Sequence, residues 1–152
     1  MNGEHLAGLP GRVLAVDPGD VRIGLAVSDP SATIAGPLRV IRHVSRVLDA
    51  ALIAQAAVEE GAVRIVVGQA LDEDGQPTPE GRKAARLAEA IRGQTDLPVD
   101  LWDESGSTQA ARAGRIAIGA SRRNRSGHLD ALAATVILQS YLDAKKENQN
   151  LP

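Results

Sequence analysis

At 152 residues the chain is long enough for one domain with its own hydrophobic core. Its 17 Lys and Arg against 19 Asp and Glu leave a net charge of −2, so any basic surface for a nucleic acid must be local. Cysteine is absent, which excludes disulfides and thiolate metal sites, and Trp102 and Tyr141 are too few to build a base-stacking platform.

Residues 1–11 read as a loose lead-in, lacking the basic head and apolar stretch of a secretory signal. No apolar run is long enough to span a bilayer, and a cytoplasmic protein is expected. The strand expected over 12–17 ends in Asp17, Pro18-Gly19 turns the chain, and a second apolar strand covers 21–28. A third strand is expected over Leu38–His43. Ser45 then caps a helix running to about Glu60, with Leu48, Ala51, Leu52 and Val58 as its expected apolar face and Gly61 as its stop. Val63-Arg64-Ile65-Val66-Val67-Gly68 is a β-branched run of the kind found in buried strands. Thr78-Pro79-Glu80 supplies a cap, a first-turn proline and an early acid for a helix that ends at Gly93. Pro98–Trp102 reads as a strand delivering Asp103-Glu104 at its end. Two helices are expected over 107–118 and 128–143, split by the basic loop Ala120–Gly127, with a polar tail over 144–152. Leu129, Leu132, Ala133, Val136 and Ser140 form the expected buried stripe of the last helix, with Asp130 on its shoulder in the opening turn. Three strands followed by alternating helix and strand predict an α/β fold, a mixed sheet with helices on both faces.

Three acids stand at three element ends: Asp17 after the first strand, Glu104 (or Asp103) after the last, and Asp130 at the start of the final helix. Alone, each has a simpler reading. Asp17 can be a turn former, Asp103-Glu104 a helix cap, and Asp130 the complement of a helix dipole. Together they suggest convergence at the carboxyl ends of parallel strands, where α/β folds build sites. Converging carboxylates repel, by about 4 kcal/mol for a pair ~4 Å apart at an effective dielectric near 20. A hard divalent cation reverses that sign, and oxygen-only ligands suit Mg²⁺ or Mn²⁺. Strand alternation lets only one of Asp103 and Glu104 face inward.

Val16-Asp17-Pro18-Gly19 with Arg22-Ile23-Gly24-Leu25-Ala26-Val27-Ser28-Asp29 resembles the opening of the YqgF-type pre-16S rRNA nuclease family, also described as Holliday-junction-resolvase-like. Ile65-Val66-Val67-Gly68 with Asp74-Gly75, Leu101-Trp102-Asp103-Glu104, and Asp130–Ala134 with Ile137–Leu142 resemble its later motifs in order. The resemblance spans about residues 12–143 and implies one ribonuclease H-like nuclease domain with a five-stranded mixed sheet. It further implies a metal-dependent endonuclease trimming the 5′ end of precursor 16S rRNA, with Asp17, Glu104 and Asp130 as catalytic, metal-binding acids. Gln69-Ala70 stands where the family has Leu-Pro, and Ser105-Gly106-Ser107 where it has Arg-Leu-Thr. Cations for phosphate contact are therefore expected from Arg22, Arg112, Arg115, Arg122, Arg123 and Arg125. The alternatives are a resolvase cutting four-way DNA, which requires a homodimer where a monomer otherwise suffices, and a ribosome-associated RNA-binding protein of weak activity. An ATP-binding module of the actin and sugar-kinase type would need a second phosphate motif and about twice the length.

Overall fold

Alternation along the first strand sets the layers. In the computed structural model, which describes residues 11–104 and 125–149 without the side chains of 125–130 and 149, β1 spans Arg12–Asp17. Leu14 and Val16 point into one apolar cluster, and Val13 and Ala15 into another on the opposite face. β2 (Arg22–Ser28) returns antiparallel beside β1, and β3 (Ala35–Arg42) returns antiparallel beside β2. β4 (Ala62–Gln69) runs parallel to β1 on its other side, and β5 (Val99–Asp103) runs parallel to β4. The sheet order is β3-β2-β1-β4-β5, a mixed sheet of five strands.

Helices α1 (Arg46–Glu59) and α2 (Pro79–Arg92) cover the face of Leu14, Val16 and Ile65. Helix α3 (Arg125–Gln149) covers the face of Val13, Ala15 and Val66. The caps match their residues: Ser45 accepts from the Leu48 N–H, and Thr78 from the Gly81 N–H ahead of Pro79. Trp102 packs edge-on against Tyr141, with ring centroids 5.3 Å apart, and its indole N–H reaches Ser140 Oγ at 3.2 Å. On the other flank of α3 the Gln139 amide accepts from the Ala35 N–H at 2.9 Å and donates to the Thr33 carbonyl at 3.0 Å.

Several expectations change. β3 begins three residues earlier than expected, running through Gly36-Pro37. It is an edge strand, where a missing N–H is tolerated, and a register shift opposite Leu25/Ala26 absorbs the irregularity. The buried face of α1 is Ala50, Ile53, Ala54, Ala56 and Ala57, while Leu48, Leu52 and Val58 are exposed. Asp49 explains the rotation. It is 2% exposed, accepts from the Val44 N–H at 3.0 Å and bonds His43 Nδ1, so this side of the helix must turn inward. The buried stripe of α3 is likewise rotated, onto Ala131, Ala134, Ile137, Leu138, Tyr141 and Leu142. Helix α3 already includes Arg125 and continues to Gln149, so Asp130 lies beyond its first turn and gains little from the helix dipole. The expected helix over 107–118 lies outside the described residues, as do residues 1–10.

Candidate active site

β1, β4 and β5 run parallel, so their carboxyl ends share one edge of the sheet. Asp17 closes β1 and Glu104 follows β5 directly. The two strands are not neighbours, because β4 lies between them. At the corresponding point of β4 stands Gly68, one step past the Val16–Val67 pair and paired with Trp102.

Alternation puts all three positions on one face. Ala15 and Val66 point toward α3, hence so do Asp17 and Gly68, two residues on. Trp102 points there too, and Glu104 follows it by two, held to the ladder by its N–H on the Gln69 carbonyl at 3.1 Å. Asp103 falls on the opposite parity and is exposed, as the sequence predicts for one member of that pair. The Glu104 carboxylate bends back over the glycine: a Cβ built on Gly68 would lie 3.3 Å from Glu104 Oε2 and 2.7 Å from Ile137 Cδ1. Neighbouring strands are about 4.8 Å apart, so the space above Gly68 is the gap between Asp17 and Glu104. The absent side chain makes room for the Glu104 carboxylate and the end of Ile137. Gly68 was not among the expected site residues, although an isolated glycine ending a β-branched run signals such a close approach.

Burial, with the Asp103 charge beside it, pushes the Glu104 carboxyl above the ordinary carboxylate value. A cation on this face would relieve both effects, and carboxylate oxygens are the ligands a hard divalent ion takes. The donors fit such an ion. Among the described residues no group of three His, Cys, Asp or Glu is gathered. The third expected ligand, Asp130, has its backbone in α3 and its side chain outside the description. Its position is seven residues, two helical turns, before Ile137, the residue that touches Gly68. Two turns apart, positions 130 and 137 share one line of the helix, which is as far as the described residues carry the expectation for Asp130.

Arg22 opens β2 with the parity of Gly24 and Ala26, and so stands on the face of Asp17. Arg112, Arg115, Arg122 and Arg123 lie outside the described residues, and Arg125 is described only as backbone. Gln69, at one of the two departures from the family pattern, donates from Nε2 to the Gly81 carbonyl at 3.1 Å and so ties β4 to α2. No helix is long and apolar enough to cross a membrane among the described residues.

The profile of the RuvX family, described as Holliday junction resolvase, matches residues 11–144. A protein of Caldanaerobacter subterraneus subsp. tengcongensis named "Putative pre-16S rRNA nuclease" is 40% identical over 138 residues, covering 90% of this chain and 99% of its own. A protein of the same name from Kineococcus radiotolerans is 41% identical over 139 residues, covering 90% and 74%. Among solved structures, Thermus thermophilus RuvC in complex with a Holliday junction substrate superimposes with a TM-score of 0.59 at 17% identity, covering 90% of this chain and 96% of that one. The sheet order and this superposition give the ribonuclease H-like fold. From the opening strand to the last helix, the chain belongs to the RuvX family of nucleases.

Proposed function

We propose that the chain is a divalent-metal-dependent endonuclease that trims the 5′ end of precursor 16S rRNA, with Asp17, Glu104 and Asp130 as its catalytic acids. The observation that carries this reading is the placing of Asp17 and Glu104 on one face, either side of a glycine, at the carboxyl edge of parallel strands. The names of the relatives supply the substrate. An rRNA substrate puts the work in the cytoplasm, and a ribosomal particle is the natural carrier of the precursor.

Asp17, Glu104 and Asp130 would hold Mg²⁺ or Mn²⁺, which when bound supplies water activation and charge neutralisation at a phosphodiester. The chain's own residues set the geometry. Gly68 leaves the floor open, Ile137 walls it against water from the α3 side, and the ladder bond at Glu104 fixes the end of β5. Arg22, on the same face, is positioned to take a phosphate oxygen, and the arginines over 112–125 are candidates for neighbouring phosphates.

The test incubates purified protein with Mg²⁺ or Mn²⁺ on a precursor 16S 5′ fragment and on four-way DNA in one buffer. Cleavage of the RNA that leaves 5′-phosphate and 3′-hydroxyl ends and disappears in Asp17→Asn is expected. The family description and the RuvC-like fold favour four-way DNA as the second reading. Preferential cleavage of DNA by a dimer would establish it instead. No metal-dependent cleavage of either substrate would refute both.

A further inference from the structure

On the α1/α2 face of the sheet, under the turn that follows Asp17, lies a cavity of about 280 Å³ whose walls include Gly19, Ile23, His43, Arg46, Lys83 and Leu87. We propose that it is a second phosphate site, taking a backbone phosphate of the RNA strand beyond the scissile bond. The inference rests on the nuclease reading above.

Two cationic side chains and a histidine, from three separate parts of the chain, meet there. His43 follows β3, Arg46 opens α1 and Lys83 projects from α2. Asp49, which also lines the cavity, is engaged not with Arg46 or Lys83 but with the Val44 N–H through Oδ1 and with His43 Nδ1 through Oδ2. That bond engages Nδ1 and leaves Nε2 as the other polar atom of the ring. Among the described residues Lys83 pairs across the surface with Asp20, at 3.3 Å with both side chains more than half exposed, a contact worth little in water. Arg46 occupies the first helical position of α1, where the helix dipole disfavours a cation. A bound anion would turn that unfavourable placement into a favourable one.

Size and place agree. The volume is just below the roughly 300–1,000 Å³ of small-ligand sites, which suits one nucleotide's phosphate and sugar rather than a folded partner. Its lip, Pro18-Gly19, is the turn leaving Asp17, and two residues span at most about 7 Å. The turn is tight: a Cβ on Gly19 would lie 2.2 Å from the Arg22 carbonyl oxygen. A strand bound by Asp17 on the α3 face can therefore bend over this turn and lay an adjacent phosphate in the cavity. The site would grip the flanking strand and help set which bond is cut.

The experiment measures binding of a short single-stranded RNA spanning the precursor junction to the full chain in EDTA, as a function of salt. Arg46→Ala with Lys83→Ala is expected to flatten the slope of log K against log salt by about 1.4, two contacts at ~0.7 each on a single strand. Both side chains are exposed, so an unchanged melting temperature shows that the fold is kept. Arg39→Ala, removing a charge from the edge strand, should leave the slope alone. A double variant with wild-type slope and affinity overturns the proposal while leaving the nuclease reading intact, provided the wild type cleaves RNA in the parallel metal-containing assay. A wild type that neither binds nor cleaves RNA overturns both. Inorganic phosphate is the remaining arm: if it stabilises the wild type and not the double variant while RNA binding is equal in the two, the cavity holds free phosphate and the strand assignment falls.

Discussion

Gly68→Ala tests the proposed site directly, because it adds one methyl group beside the Glu104 carboxylate, on the strand between those that carry Asp17 and Glu104. The new Cβ would sit 2.7 Å from Ile137 Cδ1 and 3.3 Å from Glu104 Oε2. Ile137 is buried, so its end cannot swing aside without pressing on its own neighbours. Overpacking of this kind costs about 1–3 kcal/mol, and the stiffer unfolded chain returns about 0.4–1, so the net loss is at most about 2.6 kcal/mol and in mid-range about 1–2 kcal/mol. For a chain of this length that is a fall in melting temperature of roughly 2–8 °C. Displacing Glu104 by even part of an ångström should lower cleavage by about 10–100-fold. Adding Ile137→Val removes the Cδ1 atom. The double variant should then be more stable than the sum of the single changes predicts, by about 1 kcal/mol, as read by thermal unfolding. Cleavage should stay low, because the contact with Glu104 remains. A Gly68→Ala protein with unaltered melting and unaltered activity would refute the argument that this glycine is kept open for the Glu104 carboxylate.

Asp17→Asn should reduce cleavage by about 10³-fold or more with helix content unchanged by circular dichroism, since the expected metal contribution is several kcal/mol. Glu104→Gln should abolish cleavage yet raise the melting temperature of metal-free protein at neutral pH. Burial raises the Glu104 carboxyl above its ordinary 4.5, so the penalty is absent below that value and complete above the raised one. The gain over wild type should therefore vanish as the pH falls below 4.5, and a gap that widens on acidification would contradict it. Mg²⁺ or Mn²⁺ at tenfold its Kd should stabilise the wild type by about 1.4 kcal/mol, and Glu104→Gln should lose most of that in thermal scans. Asp49→Ala should cost about 2–4 kcal/mol in urea unfolding, because it strips partners from the Val44 N–H and His43 at a buried position.

Much of this was legible from residue order. The alternating strands, the Ser45 and Thr78 caps and the parity that separates Asp103 from Glu104 follow from local chemistry, and the fold class follows with them. The errors came where tertiary contacts outweigh apolar pattern. Leu48, Leu52 and Val58 make a plausible stripe, but a buried Asp49 with two partners turned α1 onto its alanines. Sequence distance also hid β4 between β1 and β5, and with it the role of Gly68, since strand order is a long-range property. The His43–Asp49 pair was invisible for the same reason: its members matter only once α1 docks beside the end of β3. For the arginines over 112–123, the residue types were clear but the described residues do not reach them.

Gln139 and Ser140 together index helix α3 against the sheet. One amide grips the start of β3 and the Thr33 carbonyl, and the next hydroxyl receives the Trp102 indole from the opposite flank. A helix clamped from two sides at adjacent residues has its rotational phase fixed, and a slip of one residue would turn it by 100°. Two and a half turns upstream, that same phase decides whether position 130 meets the sheet or the solvent. The alignment of a reactive edge is thus governed from a polar clasp well away from it, and loosening the clasp should detune chemistry at a distance.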